Sequence, residues 1–123
     1  MGRRAAHRVD RARRLFSLPE HLESDAAELF AWLARESHLR GRDRATFVDG
    51  LTELFADLNA LHPFRDGNGR TQRAFLGQLA VAAGHRIHWA AMDPAENVAA
   101  SKAAHEGDND ALRALLDHLV HRR

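Results

Sequence analysis

Phe47, Leu51, Leu54, Phe55, Leu58 and Leu61 recur at spacings of 4, 3, 1, 3 and 3, which puts all six on one stripe of a helix. This stripe is expected to be the chain's strongest amphipathic signal. The stripe stops at His62-Pro63. Proline disfavours the helical conformation in the residue before it, so the helix is expected to end there. Asp43 stands where its N-cap belongs.

Helical periodicity governs most of the remainder. Residues 19–36 open on Pro19 and place Leu22, Ala26, Leu29, Phe30 and Leu33 on one face. A break at residues 39–42 contains Gly41. A third helix is expected over about 70–83, with Phe75, Leu76, Leu79 and Ala82 inward and Gly84 as its stop. Asp93-Pro94 reads as N-cap and first-turn proline for a helix over 93–105, and Glu106-Gly107 breaks it. Asp108 starts a last helix with Leu112, Leu115, Leu116 and Leu119 inward. Strands have room only within residues 3–16, where Val9 and Leu15-Phe16 flank an arginine-rich turn. The expected fold class is therefore all-α, a helical bundle with a candidate N-terminal β-hairpin. One domain is expected over residues 1–123, with 1–17 as hairpin or arm and 18–123 as the helical core.

At 45% hydrophobic and 28% charged, the chain can bury a core and keep a polar surface. It has no Cys, which excludes disulfides, thiolate metal sites and a cysteine nucleophile. No apolar run is long enough to span a bilayer and no secretory signal opens the sequence, so the expected location is the cytoplasm. Six of the first 14 residues are Arg against one acid, Asp10, leaving 12 basic and 16 acidic residues beyond them, a net of −4. An arginine arm of this kind can touch nucleic acid, but nothing aromatic is interleaved for base stacking, and a solvated tail or hairpin is the favoured reading.

Chemistry concentrates in residues 62–73, HPFRDGNGRTQR. Gly67 and Gly69 flank Asn68, and such a run can turn successive N–H groups inward to form an anion nest. It leads into a helix N-terminus, where free N–H groups and the macrodipole favour phosphate. Arg70 and Arg73 lie three apart on the first turn, where cations oppose the dipole. A bound polyphosphate accounts for them, because the guanidinium fork matches phosphate oxygens. Asp66 beside the nest suits Mg²⁺ held by one carboxylate plus phosphate oxygens. His62 is the titratable group for taking a proton near neutral pH. Phe64 is expected to plug into the core and stiffen the loop. His7, His21, His38, His85, His88, His105 and His118 fit no site geometry. His118 and His121, three apart, read as two exposed histidines on a C-terminal helix rather than as a shared metal site.

The run resembles the signature of the Fic (filamentation-induced-by-cAMP) domain family, HxFx(D/E)GNGRxxR, at every specified position. Similarity extends through the preceding ALHPF approach and the following GHRIHW segment. The break at residues 39–41 and the segment 43–49 resemble the bacterial toxin-type members. The resemblance implies a Fic-type bundle that transfers AMP from ATP, with Mg²⁺, onto a Ser, Thr or Tyr hydroxyl of a target protein. His62 would deprotonate that hydroxyl, and Asp66 would hold the metal. Gly67, Asn68 and Gly69 would cradle the α- and β-phosphates. Arg70 and Arg73 would hold the β- and γ-phosphates. Gly69 matters because the Doc subfamily, which phosphorylates its targets, carries Lys there and binds the nucleotide reversed.

The sequence departs from the family pattern in two places. The helices and Trp-Ala-Gly segment that usually precede the target-docking flap are not found, and residues 3–16 are the candidate flap. Ser101 to Glu106-Gly107 is one residue too long for the inhibitory (S/T)xxxE(G/N) helix, whose Glu pairs with the second motif arginine. The pattern then implies a separate small antitoxin protein supplying that Glu, or no such control. The alternatives left open are a truncated, inactive remnant that binds nucleotide or a partner, and a Doc-like phosphotransferase. The expected location is cytoplasmic, in the producing cell or in one to which the protein is delivered.

Overall fold

The computed structural model describes residues 22–61 and 68–122. The helix order expected from periodicity is present there. α1 spans Leu22–Arg35, α2 Arg44–Leu61, α3 Asn68–Ala82, α4 Pro94–His105 and α5 Asp110–Leu119. The expected hairpin at residues 3–16 lies outside the described residues.

α2 is the central element. Every residue from Leu51 to Asp57 is buried. Its stripe meets α1, α4 and α5 in one core that includes Leu29, Leu33, Leu54, Leu76, Leu112 and Leu116. Burying each such side chain stabilises the fold by roughly 1.5–3 kcal/mol before chain entropy is charged against it. Asp43 caps α2 as its sequence position predicts, accepting from the Thr46 backbone N–H at 2.9 Å and from its hydroxyl at 2.7 Å. Asp93 does the same for α4, accepting from the Ala95 N–H at 3.0 Å, with Pro94 in the first turn.

The break between α1 and α2 is a left-handed turn. Ser37, His38 and Leu39 have φ of 55°, 55° and 64°. L-residues held there cost roughly 1–2 kcal/mol each. Two contacts offset that cost: Leu39 is fully buried, and Arg42 Nη2 reaches the buried Glu36 Oε1 at 2.6 Å.

Two expectations about inward faces are corrected. On α1 the buried positions are Asp25, Leu29, Trp32 and Leu33, so Phe30 falls at the rim, 46% exposed and edge-on to Phe75 at 6.0 Å. On α3 the buried stripe runs through Leu76, Leu79 and Ala80, which turns Ala82 outward. The last helix begins at Asp110 rather than Asp108, whose side chain instead accepts from the Asp110 N–H at 3.0 Å.

Strands also form where none was expected. α3 stops at Gly84, whose φ of +89° is accessible to glycine without steric cost. β1 (His85–Ile87) then pairs antiparallel with β2 (Val120–Arg122), and the His88 N–H extends the ladder to Leu119 O at 2.9 Å. Three residues are too few for a period-two pattern to stand out. Because α5 ends at Leu119, His121 lies on β2, its ring edge-on to His88 at 5.9 Å, and not on a helix with His118. His85 is a core residue, stacked on Phe47 with centroids 4.3 Å apart and its Nε2 3.2 Å from Arg42 O.

An ionic lattice joins the start of α2 to the end of α5. Arg44 donates to Asp117 Oδ1 at 2.8 Å, to the Asp117 carbonyl, and to Val120 O at 3.0 Å, capping carbonyls that the helix end leaves unpaired. Arg113 bridges Asp49 at 2.8 Å and Asp117 at 3.4 Å. The hydrogen bond from Arg44 holds the Asp117 carboxyl below the usual carboxylate range, and the bond to Asp49 raises Arg113.

Candidate active site

The first residue of α3 is Asn68 and the second is Gly69. The nest sequence therefore runs into a helix start, where the first N–H groups have no partner within the helix. α2 ends at Leu61, so the six-residue segment 62–67 joins the two helix ends. His62, Phe64, Asp66 and Gly67 belong to that segment and lie outside the described residues. Asp66 lies two positions before the start of α3, with only Gly67 between them, a chain reach of about 7 Å. A carboxylate so tethered can share a hard cation with phosphate held on the helix N-terminus, which is the oxygen-only donor set Mg²⁺ takes.

Arg70 is exposed and Arg73 half-buried in the first two turns of α3. They open a groove of about 610 Å³ that runs along one face of the helix past Gly77 and Val81 to Trp89. Its walls beyond the arginines are largely apolar, and Val81 is 44% exposed. The Trp89 Nε1–H is enclosed there without a hydrogen-bond partner among the described residues. The two charges thus stand together at one end of an open apolar channel, where an anion can reach both.

Sequence reasoning did not single out Trp89 as lining this channel, nor Asn59 and Gln72, and it weighed Ser101 only against the inhibitory motif; these last three are hydrogen-bonded beside the same helix ends. Trp89 follows a tight turn and a three-residue strand, so no helical or strand period points to it. Among the described residues no cluster of His, Asp or Glu could hold a metal by itself. No helix among them is long and apolar enough to cross a membrane.

Comparison with known proteins gives a consistent picture. The model of the Fic/DOC family matches residues 2–80. The chain is 44% identical over 95 residues to the protein adenylyltransferase VbhT of Bartonella schoenbuchensis, an overlap of 77% of this chain and 20% of that protein. It is 35% identical over 114 residues to a probable protein adenylyltransferase of Sinorhizobium fredii, covering 92% of this chain and 59% of that one. It therefore spans less than two thirds of the length of either relative. Among solved structures, the ADP-bound N-terminal Fic domain of a VirB-translocated effector from Bartonella quintana superposes with a TM-score of 0.81 at 29% identity, over 88% of this chain and 51% of that one. BepC of Bartonella tribocorum with bound AMPPNP gives a TM-score of 0.81 at 26% identity, over 88% and 52%.

Proposed function

The chain belongs to the Fic/DOC family, and from that membership we propose that it transfers AMP from ATP to a Ser, Thr or Tyr hydroxyl of a target protein. The observation that carries the reading is the placement of Asn68, Gly69, Arg70 and Arg73 in the opening turns of one helix, directly after Asp66-Gly67. Those turns offer free N–H groups and two guanidinium forks to a polyphosphate. Relatives named protein adenylyltransferase and nucleotide-bound Fic structures support the assignment.

In this reading His62 takes the proton from the target hydroxyl as its oxygen attacks the α-phosphorus. The bond to the bridging oxygen breaks, AMP stays on the target, and pyrophosphate leaves. Gly67, Asn68 and Gly69 hold the α- and β-phosphates, and Arg70 and Arg73 the β- and γ-phosphates. Asp66 would hold Mg²⁺, which supplies charge neutralisation between the phosphates when bound. Stabilising charge spread over phosphate oxygens is the main catalytic work of such transfers. Gly69 in place of a Lys favours AMP transfer over phosphorylation. Residues 3–16 serve as the flap that docks the target backbone.

Control by a separate small antitoxin protein fits the same surface. The apolar groove beside Arg73 can seat an added helix, and a glutamate from it would occupy the guanidinium that ATP needs. The VirB-translocated relatives support action inside a second cell.

The test uses ATP labelled at the α-phosphate or at the γ-phosphate, added to a cell lysate. Label on protein from α-labelled ATP alone, lost with His62→Ala while ATP binding persists, is the expected result. Label arriving from the γ-phosphate would establish phosphotransfer instead, and no label from either would leave a nucleotide- or partner-binding remnant.

A further inference from the structure

Four neutral side chains form one hydrogen-bonded file across three helices. Gln72 Nε2 on α3 donates to Asn59 Oδ1 on α2 at 3.1 Å. Asn59 Nδ2 donates to Ser101 Oγ on α4 at 3.2 Å. The Ser101 hydroxyl donates to Asn97 Oδ1, one turn earlier on α4, at 3.3 Å. All four residues are half-buried, so water competes only partly for these groups. The file runs one way, each member accepting from the last and donating to the next, and bonds in such a chain polarise one another.

Its position is what gives it consequence. Asn59 is third from the end of α2, and His62 follows that end directly. Gln72 lies between Arg70 and Arg73 on the second turn of α3. The Asn59–Gln72 bond therefore ties the helix that delivers the base to the helix that holds the phosphates, close to both ends of the six-residue connection. Apolar packing between helices is non-directional and tolerates small slides, whereas an amide pair has one distance and one orientation. Ser101 and Asn97 fix the rotamer of Asn59 from the far side.

We propose that Asn59 and Gln72, braced by Ser101, are positioning residues that hold the end of α2, which His62 follows directly in sequence, in register with the phosphate-binding turns of α3. The proposal rests on the adenylyl-transfer reading given above. Phosphate contacts come from the nest and from α3, so ATP affinity survives loss of the file. Transfer needs base and phosphate in register, so its rate does not.

The experiment uses the full chain with Asn59→Ala, Gln72→Ala, the double variant, Ser101→Ala and Ser101→Thr. It measures ATP affinity, the transfer rate at saturating ATP, and amide hydrogen exchange over residues 70–74. Each alanine variant is expected to transfer about tenfold to a hundredfold more slowly, the penalty of a displacement near 1 Å. ATP affinity should stay within about twofold, and the double variant should be no slower than the slower single one, because one bond is lost once. Ser101→Thr keeps the hydroxyl and should restore the rate. Exchange should quicken over residues 70–74 and not in the middle of α2. Unchanged rate and protection in Asn59→Ala would overturn the proposal, as would losses that multiply in the double variant. Should the unsubstituted chain transfer nothing, the adenylyl-transfer reading alone fails. The exchange measurement then decides whether the file braces α3: quickened exchange supports it and unchanged protection overturns it.

Discussion

Leu39 presses against Gly50 so closely that a β-carbon built at position 50 would stand 2.7 Å from Leu39 Cδ2. The same atom would stand 2.7 Å from Arg42 Nη1. This contact seats the left-handed turn after α1 on the central helix. A glycine inside a helix ordinarily costs about 1 kcal/mol relative to alanine, so its presence here is explained by space and not by helix propensity.

Gly50→Ala is therefore expected to destabilise the protein. Overpacking costs about 1–3 kcal/mol, against a helix-propensity gain of about 1 kcal/mol. Gly77 is the internal control, since an added β-carbon there meets only Trp89 Nε1, at an ordinary 3.6 Å. Gly77→Ala should be neutral or stabilising by up to about 1 kcal/mol. Urea unfolding midpoints of the two variants should move in opposite directions, or at least differ in that order.

The Arg44–Asp117 pair predicts a dependence on acid. The Asp117 pKa is lowered in the folded chain, first by the hydrogen bond from Arg44. A carboxylate of lowered pKa adds stability that is present above its unfolded pKa, near 3.8, and is lost as pH falls through the lower folded value. Both side chains are more than a third exposed, so the contribution is about 0.2–1 kcal/mol after solvent screening. Asp117→Asn should remove that part of the acid-induced loss below pH 4 and leave the slope near neutrality unaltered, as read from unfolding free energies across pH (about pH 2–7).

Most of the helical frame was legible in the sequence because it rests on local signals. Asp43, Pro94 and Gly84 mark boundaries that the structure confirms to within a residue or two. The family signature was equally legible, being a continuous run. The missed features depend on partners distant in sequence. β1 exists because β2 lies beside it some 35 residues later in register, Arg86 facing His121. His85 is buried because Phe47 offers a ring face and Arg42 a carbonyl. The Gln72–Asn59–Ser101 file joins three helices and leaves no periodic trace in any of them.

His85→Ala tests one of those long-range contacts. The imidazole stacks flat on Phe47, 18° from parallel, and is 2% exposed. Removing it opens a cavity beside a core phenyl ring and deletes the contact to the Arg42 carbonyl. By comparison with large-to-small core substitutions, a loss of about 2–4 kcal/mol is expected, with a matching fall in the thermal midpoint. His85→Phe keeps the stack and should recover part of it. Equal losses in the two variants would show that the stack contributes nothing.

Arg73→Ala tests the nucleotide site from the described side. Arg73 stands three residues beyond Arg70 on α3, half-buried at the mouth of the groove. A cation this near the helix N-terminus gains nothing from the helix dipole, so its removal should not weaken the helix, and a loss of affinity reports on the site. A charge-assisted hydrogen bond is worth about 1.5–3 kcal/mol, so ATP affinity should fall roughly tenfold to a hundredfold by calorimetry. AMP lacks the β- and γ-phosphates assigned to Arg73, and its weaker binding should change little. Arg73→Lys restores charge without the planar fork and should recover only part of the ATP affinity. Equal losses for ATP and AMP would place Arg73 on the α-phosphate or outside the site.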